Sequence, residues 1–130
     1  MRDRHGLLRL HRFRTEECRR QVADIEMMVA DLMRKYDELD AHVKYEEGRN
    51  GISDPTNVNY SMAAKATRVR RDNLLKSIGD LKDQQALAQS QLEDQERELR
   101  KVELLVEKEG GALNPPAPVT SPVMTGAMIR

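Results

Sequence analysis

The strongest constraint on this chain is an apolar repeat at alternating spacings of three and four, running through two long segments that contain no proline. The first segment passes through Leu8, His11, Thr15, Cys18, Val22, Ile25, Val29, Leu32, Tyr36, Leu39, Val43 and Glu46. The second passes through Ala64, Thr67, Arg71, Leu74, Ile78, Leu81, Gln85, Ala88, Leu92, Gln95, Leu99, Val102 and Val106. Nine of the twelve positions in the first and nine of the thirteen in the second are apolar. With 38% hydrophobic residues overall, about ten of twenty-five would be apolar by chance. A three–four repeat places its members on one stripe of an α-helix, and that stripe has to be buried against another helix.

The composition suits long solvated helices better than a compact core. Charged residues make up 34% of the 130 and aromatics 3%, with no Trp and a single Phe. A globular core of this size normally draws on more aromatic bulk. Between the two periodic segments lies Gly48 to Tyr60, GRNGISDPTNVNY, the densest group of helix breakers in the helical region. Gly48 is placed to end the first helix. Ser53 or Asp54 before Pro55 suits a short turn, and Ser61 suits the cap of the second helix. The reading is therefore all-α: an antiparallel two-helix coiled-coil hairpin spanning 1–109. Its first helix covers about 6–47, its loop 48–60 and its second helix about 61–109. Gly79 interrupts the second helix just outside the seam, at a cost of about 1 kcal/mol relative to Ala. From Gly110 the periodicity stops. Residues 110–130 carry four of the five prolines and no charge before Arg130, which predicts a disordered Pro-rich tail.

Charge favours the same topology. Residues 1–20 hold seven arginines against Asp3, Glu16 and Glu17, whereas 94–109 hold six acids against four bases. Folding the chain back on itself brings a basic stretch beside an acidic one, which helps select orientation and register. The formal net charge of the whole chain is zero, so no global field favours nucleic acid or an anionic membrane.

No catalytic constellation emerges. None of the seven glycines leads into the Lys and Ser/Thr of a phosphate-binding loop. His5, His11 and His42 lack a metal-site spacing, and His11 and Cys18, seven apart, are too distant for one helix to bring both to an ion. As the chain's one cysteine, Cys18 forms no intramolecular disulfide. A two-helix hairpin also offers it no enclosed pocket for activation. The expectation is a binding protein, not an enzyme, with no cofactor and no metal. No apolar run reaches the roughly 18–20 residues of a membrane span, and the Leu7, Leu8, Leu10 cluster is too short for a signal peptide. The default location is the cytosol.

Function then rests on what the seam does not use. Leu10 and Phe13 on the first helix, and Leu87 and Leu104 on the second, fall outside the seam, with Leu7 and Leu105 on its flanks. Leu7, Leu10, Phe13, Leu104 and Leu105 belong to the open end of the hairpin. With Arg9, Arg12, Arg14, Arg19 and Arg20 they form the first candidate docking patch, apolar with a basic rim. A second candidate patch comprises Lys65, Arg68, Arg70 and Arg71, with Leu75. Phe13 is the one aromatic in either cluster, too few for a base-stacking platform, so no nucleic-acid partner is expected.

Four blocks carry a family resemblance: LLRLHRF at 7–13, EECRRQVADIE at 16–26, GISDP at 51–55 and RRDNL at 70–74. Over about residues 1–108 the chain resembles the flagellar type III export protein FliJ family, in its alphaproteobacterial form. The segments Arg19-Arg20-Gln21-Val22-Ala23 and Gly51-Ile52-Ser53-Asp54-Pro55 carry it best, because heptads alone match between unrelated coiled coils. The resemblance implies an antiparallel two-helix coiled coil similar to the central stalk of rotary ATP synthases. It further implies binding to the hexameric flagellar export ATPase, promotion of that ATPase's assembly, contact with the membrane export gate and handling of export chaperones. The ATPase contact would lie at the end bearing the termini and the gate contact on the second helix, around Arg68 to Ile78. The location implied is the cytoplasmic face of the flagellar base, peripheral to the membrane only through partners. The Pro-rich tail departs from the family pattern. The alternative is a self-associating structural coiled coil, a scaffold or tether whose seam pairs between chains.

Overall fold

The computed structural model describes residues 4–113, which form two long helices packed against each other and the connection between them. Helix α1 is Arg4–Asn50 and α2 is Met62–Leu113. All twelve seam positions on α1 and all thirteen on α2 are buried or half-buried. The fold is thus an all-α hairpin with a coiled-coil-like seam. Contacts run antiparallel: Asp40 meets Arg71, His42 meets Thr67 and Glu47 meets Tyr60.

The helices begin and end for identifiable reasons. Ser61 caps α2, its Oγ accepting from the Ala64 N–H at 3.1 Å while its carbonyl accepts the first helical bond from Lys65 at 2.9 Å. At the other side of the connection, α1 runs through Gly48 and stops at Gly51. The expectation that Gly48 terminates the helix is therefore corrected by one turn. Gly51 adopts φ 77° and donates its N–H to the Glu47 carbonyl at 2.8 Å, the left-handed helix terminator that a residue without Cβ accommodates at least cost. Gly48 sits in ordinary helix with open space around it.

The connection, residues 51–61, is tied by short-range bonds. The Asp54 carboxylate accepts from both the Thr56 N–H and its hydroxyl at 3.0 and 2.8 Å, which hold its pKa below the ordinary value. Asn57 repeats the motif by accepting from the Asn59 N–H at 2.8 Å. Asn50 Nδ2 donates to the Asn59 carbonyl at 2.9 Å, fastening the end of α1 to the far side of the loop. At the other limit of α2, the helix continues through Gly110 and Gly111 to Leu113, four residues beyond the expected end at 109. The remainder of the expected disordered tail lies outside the described residues.

Packing resolves into two compact units. Among the described residues, one joins 4–17 with 93–113, and the other is Cys18–Leu92. The second unit contains the apolar cluster Val22, Ile25, Val29, Ala88 and Leu92, with Cys18 and Leu81 packed against it. Burying each such aliphatic side chain contributes about 1.5–3 kcal/mol. The outer faces carry i,i+3 and i,i+4 ion pairs, among them Arg34–Asp31, Lys44–Asp40, Arg97–Asp94 and Lys101–Glu98. Each supports its helix by a few tenths of a kcal/mol.

Two substitutions separate seam from surface: Ile25→Ala is expected to cost about 2–4 kcal/mol in urea unfolding, and Met27→Ala, 67% exposed, less than about 0.5. For the two glycines the signs should be opposite. Gly48→Ala is expected to stabilise by roughly 0.5–1 kcal/mol by improving helix propensity, and Gly51→Ala to destabilise by roughly 1–2 through its left-handed backbone. Melting midpoints of the two variants measure both.

Candidate interaction surfaces

In the first unit the seam runs through Leu8, His11 and Thr15 on α1 and through Gln95, Leu99, Val102 and Val106 on α2, so the residues between them face outward. Arg4 of α1 and Glu109 of α2 form an ion pair at 3.1 Å. The apolar residues expected to dock a partner are all exposed: Leu7, Leu10, Phe13, Leu104 and Leu105. They do not share one face. At about 100° per residue, Phe13 and Leu104 each lie two residues before a seam position and point away from the partner helix, which accords with exposures of 60% and 58%.

Leu7 and Leu105 instead each lie one residue before a seam position. In this hairpin such positions fall on the same side: Lys35 and Arg70, which likewise precede seam residues, line a single groove. Leu7, Leu105 and, nearly a turn further along α1, Leu10 therefore form one small apolar face. Arg9, Arg12 and Arg14 are exposed on α1, and of these Arg14, one residue before the seam position Thr15, lies on the side of that face. Arg19 and Arg20 are exposed too but belong to the second unit, and neither is a free charge.

The second candidate cluster divides between structural and exposed roles. Arg71 occupies a seam position with its side chain only 15% exposed, donating to Asp40 at 2.9 Å and to Asp72 at 3.1 Å. Arg68 stands 3.8 Å from Glu47, whose carboxylate also accepts a 2.6 Å bond from the Tyr60 hydroxyl. These two arginines bind α2 to α1. Lys65, Arg70 and Leu75 are exposed, with Arg70 over the groove floored by Leu39 and Leu74 and edged by Lys35, Glu38 and Asn73.

The polar ties across the second unit were not anticipated from the sequence, although a seam arginine and a seam threonine were their signals. A half-buried cation at the seam favours a nearby anion, and Asp40 supplies it. Thr67, 5% exposed, has its hydroxyl paired with His42 Nδ1 at 3.1 Å. Hydrogen bonding to Lys44 and then to Arg71 holds the Asp40 carboxyl below its ordinary value. For Arg71, burial disfavours the charge, but Asp72 and Asp40 outweigh it and the pKa rises. Burial and the bond to Glu47 push the Tyr60 hydroxyl up.

Among the described residues no group of three or more His, Cys, Asp or Glu is placed to hold a metal ion, and no helix is long and apolar enough to cross a membrane. Compared with protein-family models, curated proteins and solved structures, the chain finds no match.

The division of the second cluster has measurable consequences. Arg71→Ala should lower the melting midpoint, whereas Arg70→Ala should leave it unchanged. Asp40 has a depressed native pKa, so its contribution is fully present above the ordinary value of 3.8 and is lost as pH falls through the native value. Asp40→Asn is accordingly expected to flatten the acid limb of a stability profile measured from pH 6 down to pH 2.

Proposed function

We propose that this chain is a component of a flagellar-type protein export apparatus. In this reading it binds the hexameric export ATPase, promotes its assembly, and links it to the membrane export gate and to export chaperones at the cytoplasmic face of the flagellar base. The resemblance of the blocks at 7–13, 16–26, 51–55 and 70–74 to the FliJ family supports the reading. The all-α hairpin is the fold that resemblance implies. The observation that carries it is the exposure of Leu7, Leu10, Phe13, Leu104 and Leu105 in the first unit. That unit combines the start of α1 with the end of α2, where the resemblance locates the ATPase contact. An exposed apolar set with exposed arginines in the same unit suits a protein partner, since exposed apolar patches with polar rims mark protein interaction sites.

The competing scaffold reading requires the seam to pair between chains. In the hairpin the seam is filled within one chain, and this reading leaves the outward residues without a role.

The test is hydrolysis by a purified hexameric flagellar export ATPase, measured with and without this protein. Stimulation is expected, and Leu10→Ala combined with Phe13→Ala should weaken the half-maximal concentration at least about tenfold, the scale of one interface anchor. Full stimulation by that variant would remove the proposed patch. No stimulation by the unaltered chain, together with a stable elongated dimer in micromolar sedimentation, would favour the scaffold.

A further inference from the structure

The two units solve the problem of polar seam residues in opposite ways. In the second unit, three polar groups at or beside the seam are satisfied across the helix pair: Thr67 by His42 at 3.1 Å, Arg71 by Asp40 at 2.9 Å and Tyr60 by Glu47 at 2.6 Å. In the first unit the polar seam residues are not. His11, Thr15 and Gln95 occupy three of its seven seam positions. His11 Nδ1 and Gln95 Oε1 are both shut off from solvent without a hydrogen-bond partner. Thr15 is wholly buried, and its hydroxyl donates at 2.8 Å to the His11 carbonyl of its own helix, so it adds nothing across the seam.

Apolar burial is also uneven. Of the eleven buried hydrophobic residues among those described, the first unit holds Leu8 and Val102, and the other nine lie in the second. The Arg4–Glu109 pair is exposed on both sides, 37% and 49%, and pairs of that kind contribute little. Separating the helices in the first unit would return two orphaned atoms to water while exposing little buried apolar surface.

The geometry points to a first unit that opens as a cooperative zipper, its two helical segments parting around the His11, Thr15 and Gln95 layer while the second unit stays closed. Desolvating one unsatisfied polar atom corresponds to a roughly tenfold to hundredfold shift in such an opening equilibrium. The layer is therefore a built-in weak point, and the inference does not depend on the export reading.

Native-state hydrogen exchange on the full chain, followed by mass spectrometry in mild denaturant, tests it. Peptides from 8–17 and 95–106 should exchange together, at least about tenfold faster than those from 22–29 and 78–92. The combined variant His11→Leu, Gln95→Leu removes both orphans and should slow exchange in the first unit by about tenfold or more, without altering the second. Equal protection of the two units in the unaltered chain would overturn the proposal. So would a smooth gradient of protection rising from the helix ends, which is simple fraying, or exchange in the first unit that the double variant leaves unchanged.

Discussion

Everything in this molecule depends on burial of one apolar stripe against another. The helices are highly charged and poor in aromatics, and neither has an apolar surface beyond its stripe large enough to fold alone. Local propensity is a weak force over such lengths, and most helical stability in proteins comes from tertiary packing of one face. The seam supplies that packing, most densely where Val22, Ile25 and Val29 meet Ala88 and Leu92. Charged pairs on the outer faces add small local increments and keep the surface solvated.

A seam made of aliphatic residues alone specifies contact but poorly specifies register, since one heptad resembles the next. Register here is marked by polar groups whose partners stand at one height on the other helix. Arg71 reaches Asp40, Thr67 reaches His42, and Tyr60 reaches Glu47 beside Arg68. Slipping α2 along α1 would break all three and part Arg71 from Asp40. The connection reinforces the choice: Gly51 ends α1, Ser61 starts α2, and Asn50 bonds across to Asn59. Where seam polarity goes unsatisfied, as at His11 and Gln95, the same physics weakens the pairing. One type of residue thus locks one unit and loosens the other.

Because the seam accounts for folding, outward apolar residues are free for another task. Leu7, Leu10 and Leu105 form a small face, and Phe13 and Leu104 stand on the backs of their helices, so a partner gripping all five would have to surround this unit.

Much of the fold could be read from the chain without coordinates. The twenty-five seam positions, the helical class, the Ser61 cap and the breaker-rich connection are local or periodic features, and local rules govern them. Which glycine ends α1 was not readable in this way. Gly48 and Gly51 are chemically identical, and only closure of the loop onto Tyr60 and Asn59 selects the one that turns left-handed. Nor could the sequence show that Arg68 serves the helix pair or which acid answers the seam residue Arg71, because that depends on which acids α1 presents at the same height. The candidate patch was visible as a list of apolar positions. Its arrangement into one face and two opposed backs became visible only with the antiparallel pairing, since the direction of a side chain has meaning only relative to the helix it packs beside.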